Sequence, residues 1–215
     1  MAAEESRSTT SLILVPSLIT LAITLLRLVG ELQHWGAAFF SREAGGRAAV
    51  VGIVWLVPIF GWLFGTKLAR RADAPRGGGP ALRALIALLF VIAAGVIAGV
   101  VLHKGPPVVI PTIMLTGLIG SAVAWRAWPA LGRTLFAYGL AARVPVILVM
   151  LVAMMQSWGT HYDVAPPNFP AETPLLAKWF QIGVMPQLFL WIPFTILVGA
   201  LFGGIALLVT GPKRG

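Results

Sequence analysis

The chain has 215 residues, 58% of them hydrophobic and 11% charged, against about 25% charged in an ordinary soluble domain. That composition excludes a soluble enzyme, a disordered chain and a coiled coil, and it defines an all-α membrane protein with a mean hydropathy of +0.90. The net charge of +9 does not point to nucleic acid, because the basic residues sit in short loops between apolar runs; cysteine is absent, which removes disulfides, thiol catalysis and Cys-based metal sites.

A membrane-crossing helix needs about 20 mostly apolar residues. Six stretches meet that length, and they predict a six-helix bundle: residues 11–30, 48–68, 82–102, 107–128, 135–158 and 186–210. The segment ahead of the first carries Glu4 and Glu5 against Arg7. It lacks the positive start and cleavage pattern of a signal peptide, so the first run is expected to stay as a span. Arg27, Glu31 and His34 follow at intervals of four and three and share a face if the helix continues. Arg27 either holds an anionic group there or snorkels to the headgroups beside Glu31. An exposed pair of that spacing is worth only about 0.2–0.5 kcal/mol.

An outer loop is expected over residues 31–47. The second span contains Pro58 and the small-xxx-small pair Gly61/Gly65. Residues 69–81 read as a flexible cytoplasmic loop. The third span carries Gly95/Gly99 and no charge between Ala84 and Leu102. The fourth ends in Trp125 and Trp128, which fit an inner aromatic belt, as Trp35, Trp158 and Trp179 fit an outer one. The fifth contains Arg143 and Pro145. Arg143 falls about 12 Å inside that span, a depth at which an unpaired guanidinium is expensive. Two readings stand: an anion contact facing a wet cavity, or an interfacial Arg143 on a helix that starts only near Leu140. The outer loop 159–185 holds His161 and Asp163, and its second half reads as a short interfacial helix from Thr173 to Gln181. The sixth span contains Pro193 and Gly199/Gly203. Pro58, Pro145 and Pro193 predict kinks in helices 2, 5 and 6.

Orientation follows from charge. Ten basic residues (Arg7, Lys67, Arg70, Arg71, Arg76, Arg83, Arg126, Arg133, Lys213 and Arg214) fall on one side. Four (Arg42, Arg47, Lys104 and Lys178) fall on the other. The bias predicts both termini in the cytoplasm, with a bacterial cytoplasmic membrane as the expected location.

Chemical motifs are sparse. No acidic residue falls inside the six stretches, which argues against intramembrane aspartyl catalysis and carboxylate proton relays. The chain has no phosphate-cradling GxxxxGK[ST], no GxGxxG, no HExxH and no GxSxG. His34, His161 and Asp163 share the outer side and are ligand types suited to zinc or iron, but their spacing is no metal signature, so no divalent metal or other cofactor is called for. Gln156, Gln181 and Gln187 either line a polar pocket under the 159–185 loop or cap helix ends. The favoured function is non-catalytic: a binding or transport component for a small anionic or neutral solute. Its outward pocket would draw on Arg27, Glu31, Arg143, Gln156 and Gln187. The alternatives are a membrane-embedded enzyme with a metal or acid–base site at His34, His161 and Asp163, and an accessory subunit of a larger membrane complex. The expected partners are the lipid bilayer, a small-molecule ligand, and a second copy or another membrane subunit.

Overall fold

A computed structural model describes residues 2–46, 49–71 and 74–211, with side chains from residue 9 onward. Arg47, Ala48, Lys213 and Arg214 lie outside these residues, as does the side chain of Arg7. Six helices make up the bundle: α1 Ala2–Leu32, α2 Leu56–Ala69, α3 Gly79–Val101, α4 Pro106–Ala127, α5 Pro129–Gln156 and α6 Leu175–Thr210. There is no strand among the described residues. All the helices but α2 are long and apolar enough to cross a membrane. The chain is a multi-span integral membrane protein.

The helices present their surfaces as lipid requires. On α3 the small residues Ala81, Ala84 and Ala87 are buried, whereas Leu82, Ile86 and Leu89 are exposed. Lipid offers large apolar side chains no penalty, and small residues let helices approach one another. The short links at Trp128 and over 102–105 force antiparallel neighbours. One end of the bundle gathers Arg70, Arg71, Arg126 and Arg133; the other carries the long connections 33–55 and 157–174. The first is the basic end and the second the loop end.

Two expectations about the spans need correction. The helix of the second span is shorter than a full crossing. α2 has 14 residues, about 21 Å, against roughly 30 Å of hydrocarbon. Residues 49–55 ahead of it are irregular. Pro58 explains the boundary: it stands in the first turn, where its missing N–H has no intrahelical partner to lose, so it starts α2 rather than bending it. The irregular strip is held by Val50 N–H donating to the Ala38 carbonyl (3.1 Å) and Val51 N–H to that of Phe39 (3.1 Å). The second correction concerns α6. The expected interfacial helix is continuous with the last span, giving 36 residues. Wide π-helical turns at Trp179–Val184 and Gln187–Trp191 carry it past Pro186 and Pro193. A wider turn ahead of each proline gives its ring room that a regular α-turn would deny. Pro145 does lie inside α5, and Pro16 and Pro111 lie inside α1 and α4.

α2 is seated on α6 by glycine. A Cβ on Gly61 would lie 2.6 Å from the Gly199 Cα, and one on Gly65 would strike Gly203. The core beside this contact is aromatic. Tyr138 of α5, 1% exposed, meets Phe60 and Phe64 of α2 edge-on, with ring centroids 5.5 and 5.6 Å away. Its hydroxyl donates to Thr20 Oγ1 (2.8 Å), which donates to the Pro16 carbonyl (2.8 Å), so this buried phenol ties α5 to α1. Trp128 also belongs to the core, at 2% exposed, and not to a lipid-facing belt. The single residue that links α4 to α5 must turn inward between them.

Candidate functional site

Among the described residues, buried charged side chains gather in two places within the apolar bundle. The first closes the loop end. Glu31 falls inside the first candidate span, Thr9–Leu32, which corrects the expectation that no acid does. It is fully buried. Its carboxylate accepts from Arg27 Nε (2.8 Å), from the His161 backbone N–H (2.9 Å) and from His161 Nδ1 (2.6 Å). Arg27 Nη2 donates in turn to the carbonyls of Ser41 (3.3 Å) and Gly46 (3.1 Å). Gly46 is required there: its φ is +66°, and a Cβ would lie 2.6 Å from Arg27 Nη2 and 2.8 Å from His161 Cδ2. Of the two sequence readings of Arg27, pairing with Glu31 is the one seen, with Glu31 fully buried and Arg27 partly so.

The 159–163 turn is built by Asp163. Its Oδ2 accepts from the Gly159 N–H (2.8 Å), and its Oδ1 accepts from the Thr160 N–H and hydroxyl (both 2.7 Å). Those bonds fold the turn so that His161 faces Glu31 and Tyr162 points down into the bundle. Tyr162 packs in a cluster with Val146, Met150 and Met154 of α5. Its hydroxyl donates to the Thr24 carbonyl (3.2 Å), one helical turn deeper on α1 than Arg27. Burial pushes the Tyr162 phenol well above its ordinary pKa. Burial also lowers that of His161, against the opposing pull of Glu31.

The second group is Arg143. α5 is one helix from Pro129, so the interfacial alternative, in which it starts near Leu140, is corrected. Arg143 sits at the middle of its 28 residues, about 20 Å from either end, and is 4% exposed. Nη1 donates to Gln187 Oε1 at 3.3 Å, and Cζ stands 4.9 Å from the centroid of the Trp191 ring. Nε has no partner. Gln187 also touches Met150 Sδ at 3.9 Å. No carboxylate pairs with Arg143 among the described residues. The balance is close, and it leaves one donor unmet. Desolvating an ion costs several kcal/mol, a cation–π contact returns about 0.5–2 kcal/mol, and a hydrogen bond to a charged group returns about 1.5–3 kcal/mol. Its single long hydrogen bond and its unmet Nε leave the guanidinium under-compensated.

The remaining sequence candidates reach neither the Glu31 carboxylate nor the Arg143 guanidinium. His34 has a left-handed φ of +57°, and its Nδ1 lies 2.7 Å from Arg42 Nη1 and 3.2 Å from the Glu31 backbone carbonyl. Gln156 is exposed at the end of α5. Gln181 lies in the first π-helical turn of α6 and is also exposed. Among the described residues no three His, Asp or Glu side chains come together as a metal-binding group; His34 faces Arg42, and both Asp163 oxygens are taken by its own turn. Two participants were missed by sequence reasoning, Tyr162 and Trp191. Tyr162 carried a signal, a polar-tipped aromatic set between His161 and Asp163. Trp191 carried none beyond its place in an apolar run. No family model, curated protein or solved structure matches this chain.

Proposed function

We propose that this protein is a binding or transport component for a small anionic solute, with Arg143 as the residue that holds the anion. The observation that carries the reading is a mid-helix guanidinium, buried, with an unused Nε donor and no acidic partner among the described residues. Ionisable groups at such depth are retained for solute or ion pathways far more readily than for packing. Gln187 and Trp191 serve as positioning residues: the amide orients one face of the guanidinium and the indole supports another. The clasp of Arg27, Glu31 and His161 closes the loop end above it, with Tyr162 between. The ten-to-four distribution of basic residues supports a cytoplasmic basic end and an outward loop end.

The test is thermal unfolding of the purified protein in mild detergent with acetate, benzoate, sulfate or inorganic phosphate, each against chloride. At a hundredfold excess over Kd, binding adds about 2.7 kcal/mol, which for a chain of this length raises Tm by about 5–10 °C. One member of the panel is expected to do so in the wild type, less in Arg143→Lys and not at all in Arg143→Gln. An equal shift in Arg143→Gln, or no shift from any of the four, overturns the reading.

A further inference from the structure

A cavity of about 600 Å³ opens between α4, α5 and α6, on the side of the bundle away from α1 and α2. Its wall is apolar, with Leu118, Phe136 and Phe189 exposed along it. These residues belong to candidate spans, so the medium that meets them is lipid. The groove has one charged group on its lining, Arg126, next to Trp125 near the basic end of α4. From Arg126 to Leu118 the groove runs eight residues along α4, about 12 Å, close to the depth of one leaflet of hydrocarbon. An apolar slot one leaflet deep with a cation and an indole at its headgroup end matches one chemistry. We propose that this groove is a specific site for an anionic phospholipid: an acyl chain lies along Leu118 and Phe189, and the phosphodiester sits on Arg126. The volume is in the range of small-molecule sites, and the charge complementarity distinguishes it from a general annular contact. Arg143 does not line the groove, so this inference is independent of the anion site.

The test is native mass spectrometry of the protein released from vesicles of equal parts phosphatidylglycerol and phosphatidylcholine, reading the most tightly retained lipid. One arginine near an anionic surface gives about a fivefold preference. The wild type should show that preference for phosphatidylglycerol. Arg126→Gln should bring the ratio near one while lipid is still retained. Ala122→Trp, which fills the groove from an exposed lining position, should remove retention of both lipids, and Leu118→Trp should do the same. Arg83→Gln, at the same end on α3 but off the groove, should leave the ratio unchanged. The proposal fails if Arg83→Gln lowers the ratio as far as Arg126→Gln, since surface charge in general would then be the cause. It also fails if both tryptophan variants keep the lipid, or if the wild type retains the two lipids equally.

Discussion

Glu31 closes the loop end because one carboxylate serves two segments 130 residues apart. Glu31→Gln preserves its volume but strands Arg27 without a counter-charge. Breaking a buried pair from one side costs about 3–5 kcal/mol. Denaturant unfolding should register that loss, and hydrogen exchange should show the 159–163 amides losing protection. His161 adds a pH dependence to the same contact. It faces Glu31 and Arg27 of α1 and Asp163 of its own turn, and its folded pKa is lowered, chiefly by burial. The unfolded state therefore takes up the proton first, and stability falls as pH drops below about 6.5, the ordinary histidine value. Above that value the contribution is complete. Thermal unfolding from pH 8 to 5 should show this slope, and His161→Gln should flatten it. Arg143 should behave in the opposite sense to Glu31. Replacing an under-compensated buried ion with an apolar side chain is often neutral or stabilising, so Arg143→Met should unfold no lower than wild type without added anion. A large drop in Tm would mark Arg143 as a structural anchor. The sequence spacing brought Arg27 and Glu31 together correctly, because both lie in one helix. It did not place His34 correctly, since α1 stops at Leu32 and His34 turns left-handed, reaching the Glu31 backbone carbonyl and not its carboxylate. Nor could local spacing foresee His161, whose approach depends on the turn that Asp163 folds.

Among the helices, the contact of α2 with α6 is the least tolerant of added volume. Gly61 and Gly65 meet Gly199 and Gly203 backbone to backbone, so no rotamer change can make room. Gly65→Leu should cost more than the roughly 1–3 kcal/mol typical of core overpacking. Gly99→Ala on α3, whose nearest contact is a side-chain methyl of Val109 at 3.5 Å, should be nearly neutral. Parallel thermal unfolding of the two variants checks the difference. The glycine spacings were legible in sequence; which pairs met was not, because spacing names a face and not its partner. Hydropathy placed all six apolar segments, but it counts side chains and is blind to backbone hydrogen bonding. That is why it read residues 48–68 as a full span, although Pro58 fixes the helix start two residues earlier and leaves 49–55 to bond with Ala38 and Phe39. It is also why Pro186 looked like a beginning: π-helical turns pass prolines that a regular α-turn would not.

At the scale of the whole molecule, charge sets the expected orientation. The chain has no cysteine, so single-cysteine variants report sidedness without background. Asn168→Cys at the loop end should react with an impermeant maleimide on intact cells, whereas Arg76→Cys should react only after permeabilisation. The reverse pattern would invert the bundle. The short α2 has a further consequence, in time rather than space. A 14-residue helix led by irregular backbone cannot settle across a bilayer alone, and the glycine surface that seats it belongs to α6. About 140 residues separate the end of α2 from the end of α6. At 5–20 residues per second that is a wait of roughly 7–28 s. For that interval α2 is expected to lack the glycine surface that seats it, so protease should reach it in nascent chains arrested before α6 and not in the finished protein.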